Sequence, residues 1–286
     1  MVDFLRRGVA SHVNRLVVGD DMRPLRDLPD DDPGMIPEDS PVRIVNQDAS
    51  MFIGGVRALL YQTLHPDACY AVHEHSAYES DPLGRLQRTA YFLGATVYGS
   101  GTAGRQAVDV VRSIHTRVTG QLPDGRLYRA DDPHLLGWVH ATEVDSFLTA
   151  YKLYGSEPIS EDAADRYVAD MGIIAEALGA DDLPQNQAEL AAVLDMYRAE
   201  CAATPECRDL TRFLFAPQLP LPTLPFYGVI FAASAAMLPA WARSMLLLPI
   251  GPGLDRVAIR PAADVLTRAL RWAGPGERRA EELRLH

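Results

Sequence analysis

The feature that most constrains this chain is the recurrence of apolar residues every three or four positions behind explicit helix-start signals. Asp81-Pro82, Asp132-Pro133 and Thr204-Pro205 each set a side-chain acceptor directly before a proline. The acceptor satisfies free amides of a first helical turn, and proline at the first helical position lacks the amide that would be orphaned there. Asn186 followed by Glu189 has the spacing of a capping box. Behind these marks run Leu83, Leu86, Ala90, Leu93 and Val97, then Leu136, Val139, Val144, Phe147 and Tyr151, each set a stripe of helical period. Helices are expected over 3–18, 49–64, 69–78, 82–98, 102–119, 133–154, 160–179, 187–203, 205–215, 226–248 in pieces, and 261–272. The best strand signal lies in 120–128, where Pro-Asp-Gly would close a short hairpin or turn. The sequence therefore predicts an all-α fold, a single globular domain of about ten helices.

Composition narrows the function classes. With 286 residues, 48% hydrophobic and 23% charged, the chain can bury a real core, and wholesale disorder, collagen and multi-span membrane architectures are excluded. Residues 1–42 read as an N-terminal helix followed by an extended acidic, proline-rich arm, and 43–286 as one helical domain. A net charge of −11 argues against a nucleic-acid partner, which needs a cationic surface. Of the 27 basic residues only Lys152 is a lysine, so a lysine nucleophile or Schiff base is nearly excluded.

Cys69, Cys201 and Cys207 have no CxxC spacing, which fits a reducing compartment. The N-terminal segment is interrupted by His12, Asn14 and Arg15 before any apolar signal region forms, so a cytoplasmic location is expected. The uncharged segment from Phe213 is broken by Pro217, Pro220, Pro222, Pro225 and Pro239. A membrane-spanning helix tolerates this poorly; core or a greasy surface, open to peripheral membrane contact, is expected instead.

Two histidines sit in apolar helical surroundings. His115 follows Val108, Val111 and Ile114, and its ring is expected to point inward. It reads either as a core histidine bonded to a carbonyl or as a neutral imidazole offered to a heme iron or other metal. His140 lies among Leu136, Val144 and Phe147, with Glu143 three residues on. In Gly84–Thr89, Arg85 and Thr89 share a helix face with Phe92, while Arg88 projects about 100° away. A guanidinium on such a face needs an anion: a carboxylate of the protein, a heme propionate or an acidic substrate. His73, Glu74 and His75 are adjacent, so they cannot all ligate one metal on a continuous helix. A non-heme metal would have to draw on Glu74 or His75, His115, and the pair His140 and Glu143. No dinucleotide fingerprint, phosphate-binding loop or GxSxG nucleophile motif is present.

Taken in order, NQDASMFIGGVRALLYQTLHP, HEHSAYESDPLGRLQRTAYF, VRSIHTRVTG, PDGRLYRADDPHLLGWVHATEVDSFLTAYKLY and LPTLP resemble the bacterial branch of the mpaB and rubber oxygenase family, which includes latex clearing protein. The resemblance covers about residues 43 to 250. It implies a globin-like helical core around a non-covalently bound heme b, acting with O2 on an apolar, isoprenoid-like small molecule. It implies that Arg85, Arg88 and Thr89 match the family's Arg-x-x-Lys-Thr segment and that His115 matches the proximal histidine and iron ligand. Arg88 stands where the family has a distal lysine, and a protonated guanidinium is a very poor iron ligand. Arg88 is therefore expected to donate to bound oxygen or a propionate. Glu74 is the nearest counterpart of the distal acid, and His140, with Arg85 and Phe92, is expected to line the cofactor. The other readings are a heme carrier or sensor without turnover, and a non-heme metal oxidase.

Overall fold

Each acceptor–proline pair starts a helix. In the computed structural model, which describes residues 32–76 and 78–273, Asp81 accepts from the Gly84 amide, Asp132 from those of His134 and Leu135, and Thr204 from that of Cys207. Asn186 and Glu189 form the reciprocal box, with the Glu189 amide 2.9 Å from Asn186 Oδ1. The chain order is α1 (Pro41–Gln47), α2 (Met51–Gln62), α3 (Pro66–His75), α4 (Pro82–Tyr98), α5 (Gly101–His115), β1 (Thr119–Gln121), β2 (Leu127–Arg129), α6 (Pro133–Tyr154), α7 (Glu161–Leu178), α8 (Gln187–Tyr197), α9 (Pro205–Phe215), α10 (Leu224–Met237), α11 (Ala240–Met245) and α12 (Arg260–Ala273). A helical turn, Pro252–Leu254, and a π-helical segment, Asp255–Ile259, lead into α12. The molecule is an all-α single domain with one two-stranded ribbon among the described residues.

The helices expected over 82–98, 133–154 and 205–215 have those bounds, while the one expected over 3–18 lies outside the described residues. Three expectations are corrected. Helix α1 falls at the end of the stretch read as an extended arm; Ser40 caps it, accepting from the Val42 amide at 3.2 Å, and Ile36 and Val42 are buried in the main core. Helix α5 stops at His115 because Thr119 already pairs with Arg129 in an antiparallel ribbon. That ribbon closes through Gly125 at φ +89°, a left-handed conformation suited to glycine. Helix α8 ends at Tyr197 and passes into a single 3-10 turn, Arg198–Glu200.

The most extensive helix pair is α2 against α6. Gly54 permits their close approach: a Cβ there would stand 2.8 Å from Phe147 Cδ1 and 3.2 Å from the Ser146 carbonyl. Beside this contact Arg57, 3% exposed, pairs with Asp145 at 2.7 Å. It also donates to Ser146 Oγ at 2.7 Å and to the Met237 carbonyl at 3.3 Å. Trp138 is fully buried, edge-on to Tyr61 with centroids 5.3 Å apart. Around this center α4 packs along α5 and against α1, α5 packs on α7, and α7 on α6. No helix among the described residues is long and apolar enough to cross a membrane.

Removing one partner of a buried ion pair strands the other charge, whereas removing both exchanges polar burial for packing. Asp145→Ala is expected to cost about 3 kcal/mol in urea unfolding, and Asp145→Ala combined with Arg57→Met less than the sum of the single changes. Strict additivity in that cycle would show that the pair is not coupled.

Candidate functional site

Helices α4 and α5 form an antiparallel hairpin in which Gly104 lies against Ala95. His115 ends α5, and Arg85 lies in the first turn of α4. At that end Arg112 donates to the Ala177 carbonyl of α7 at 3.3 Å, and Leu136 of α6 is buried with Ala175 and Ala180. The circuit α4, α5, α7, α6 is thus closed by packing on three sides, while α4 and α6 hardly touch. Arg85 on α4 and Glu143 on α6 are both surrounded deeply enough for lost hydration to shift their proton affinities, yet both keep accessible surface.

Several polar groups on α4, α5 and α6 are short of partners. His140 is buried, its Nε2 makes no hydrogen bond, and desolvation pulls its pKa down to about 4, so the imidazole is neutral at pH 7. Burial pushes Glu143, three residues on, up to about 7. The nearby Tyr167 hydroxyl is raised by burial and, secondarily, by the Glu143 charge. His115 is half-buried with an unbonded, enclosed Nδ1; desolvation lowers its proton affinity, opposed by Asp131. The Arg85 guanidinium donates to Ser76 Oγ at 2.9 Å and meets no carboxylate among the described residues. Desolvation and then Arg88 lower its proton affinity, while Tyr78 raises it.

The remaining predicted residues are engaged elsewhere. Arg88 is exposed and pairs with Asp81 at 3.0 Å. Thr89 is exposed, its hydroxyl donating to the Arg85 carbonyl at 3.1 Å. Glu74 accepts from the Tyr128 hydroxyl, which also lies 3.2 Å from His75 Nε2. Phe92 is half-buried and packs against the main core. The structure places Arg85 in the first turn of α4, His115 at the end of α5, and His140 and Glu143 on α6.

The non-heme ligand set drawn from Glu74 or His75, His115, His140 and Glu143 does not converge. Among the described residues, the group whose ligand atoms come within reach of a single ion is His65, His134 and Glu200. Sequence reasoning missed it because Glu200 is 66 and 135 residues from its two partners. Arg57 was missed for a similar reason: its partner Ser146 is 89 residues away.

A scan against protein-family models matches residues 42–272 to the catalytic domain of the ER-bound oxygenase mpaB/B′ and rubber oxygenase. The chain belongs to this family. Comparison with curated proteins found no match, and neither did comparison with solved structures. The mpaB/rubber oxygenase match begins in α1 and ends in α12, so it contains helices α4, α5 and α6 and points to an oxygenase.

The two shifted groups oppose each other with pH. Glu143 keeps its proton in the folded state between pH 4.5 and about 7, where the unfolded chain has lost it, so stability falls as pH rises through that window. For His140 the unfolded chain protonates first, and stability falls as pH drops from 6.5 toward about 4. Glu143→Gln removes the first effect alone. The ligand-free variant should gain stability over the parent between pH 5 and pH 8, by about 2 kcal/mol at most. Melting temperatures across that range read the difference, and a constant gap would contradict the assignment.

Proposed function

We propose that the protein is a b-type heme-dependent oxygenase that acts with O2 on an apolar small molecule. The observation that carries this reading is Arg85: a half-buried guanidinium without a carboxylate partner among the described residues, in an oxygenase-family domain. The residues present fit the group. Arg85 would neutralize a propionate through charge-assisted hydrogen bonds. His115, kept unprotonated by desolvation, offers the neutral imidazole that an iron ligand requires. Phe92, on the same helix as Arg85, would pack against the macrocycle.

Heme, when bound, supplies the redox chemistry by which oxygen reacts with an organic substrate. This chain's own residues then bind, shield and move protons. His140, buried and neutral with an unpartnered Nε2, would donate or accept a hydrogen bond from α6. Glu143, titrating near neutrality, can hold a proton at its carboxyl or give it up. Glu74, Arg88 and Thr89 would act only by exchanging their present partners, Tyr128, Asp81 and the Arg85 carbonyl. Exposed Phe215, Leu221 and Phe226 in the α9–α10 region give an apolar approach that suits an apolar substrate. The cysteines are unpaired thiols, in keeping with a reducing, cytoplasmic setting.

One observation favors a second reading, a heme carrier or sensor without turnover: Arg88 is tied to Asp81 at the surface instead of standing free for a distal role. Reconstitution of the purified protein with hemin should give a Soret band that is lost in His115→Ala and kept in His140→Ala. Arg85→Ala should weaken heme retention about tenfold, the worth of one charge-assisted hydrogen bond. A protein that stays colorless after reconstitution overturns the heme reading. Substrate-dependent O2 consumption with a terpenoid hydrocarbon separates the oxygenase from the carrier.

A further inference from the structure

A second cluster lies where the start of α3, the first turn of α6 and the 3-10 turn after α8 meet. His65 is the N-cap of α3, His134 is the second residue of α6, and Glu200 ends the 3-10 turn. His65 Nε2 lies 3.2 Å from Glu200 Oε2, and His134 Nε2 lies 3.0 Å from both carboxylate oxygens. All the ligand atoms fall within 4.8 Å of one another. Ligands placed tetrahedrally at about 2.0–2.1 Å from a zinc ion stand about 3.3 Å apart, so the side chains need move little to receive one.

We propose that His65, His134 and Glu200 form a binding site for one divalent transition-metal ion of the zinc class, which fastens the α8–α9 connection to the starts of α3 and α6.

Two further observations point to a ligand. The His65 ring is held on its flanks, with centroids 6.0 Å from Trp138 and 6.4 Å from Tyr197, and the His134 ring lies 4.6 Å from Tyr197. Both imidazoles are thus pre-positioned, which lowers the entropy lost on binding. On the far side of His65, its Nδ1 is enclosed without a hydrogen-bond partner. A metal on Nε2 puts the ring proton on Nδ1, and the negative charge of Asp67, two residues along and paired with Arg126 at 3.7 Å, favors that proton. His134 and Glu200 are exposed on their outer side, 51% and 40%, which leaves an entry path and room for water as the fourth ligand. Closing the connection this way would reinforce the hydrogen bond from the Ala202 amide to the Leu64 carbonyl, 2.8 Å long.

The test uses the full chain, stripped with chelator and titrated with Zn2+ alone, followed by calorimetry and thermal unfolding, with Co2+ substitution to read visible ligand-field bands. One equivalent should bind, raising the melting temperature. His134→Ala and Glu200→Gln, both at half-open positions and checked for folding by circular dichroism, should each weaken binding at least about tenfold. His73→Ala, which removes a histidine outside the cluster, should leave it unchanged. Failure to take up one saturable equivalent, or parental affinity in both cluster variants, overturns the site. The readout does not involve heme, so it is independent of the oxygenase reading.

Discussion

A buried guanidinium holds the center of this protein. Arg57 joins α2 to Asp145 and Ser146 of α6 and to the carbonyl that ends α10, and no water replaces those contacts at 3% exposure. A charge taken that far out of water is tolerable only if its partners are fixed, and fixing them fixes the rotation and height of α6. Gly54 adds the steric half of the constraint by bringing α2 against Phe147. His140 and Glu143 lie within two turns of Asp145 on the same helix, so their direction is set by an interaction in which neither takes part.

The site is the complement of that well-satisfied center. Helix α4 is carried by α5 and α1, not by α6, and α5 and α6 carry groups whose polar atoms the protein does not fully use. In a packed interior, unpaired polar groups cost free energy and are rare. Three such groups stand on α4, α5 and α6: the Arg85 guanidinium without a carboxylate among the described residues, the Nδ1 of His115, and the Nε2 of His140. Desolvation acts on all of them in the same sense, against charge, giving neutral imidazoles and a carboxyl that titrates near neutrality.

Local signals in the sequence translated directly into structure. Asp81, Asp132, Thr204 and Asn186 cap helices where acceptor, proline and glutamate spacing placed them, because a cap involves atoms within three or four residues. The Pro-Asp-Gly turn closed a ribbon for the same reason. Where local signals competed, the reading slipped. Ser40-Pro41 was hidden in a proline-rich, acidic stretch, and the apolar run through Val118 looked helical until the ribbon claimed Thr119.

The sequence by itself determined the all-α class, most helix starts, the family, and the candidates His115, His140 and Arg85, since residue type and short spacing carry that information. Only the tertiary structure decided that Arg88 meets Asp81 and Glu74 meets Tyr128, and that Arg57 finds Asp145. It alone gathered His65, His134 and Glu200 around one point. Those outcomes depend on which helices pack together and on how much water each group loses, and neither quantity is a property of any short stretch of chain.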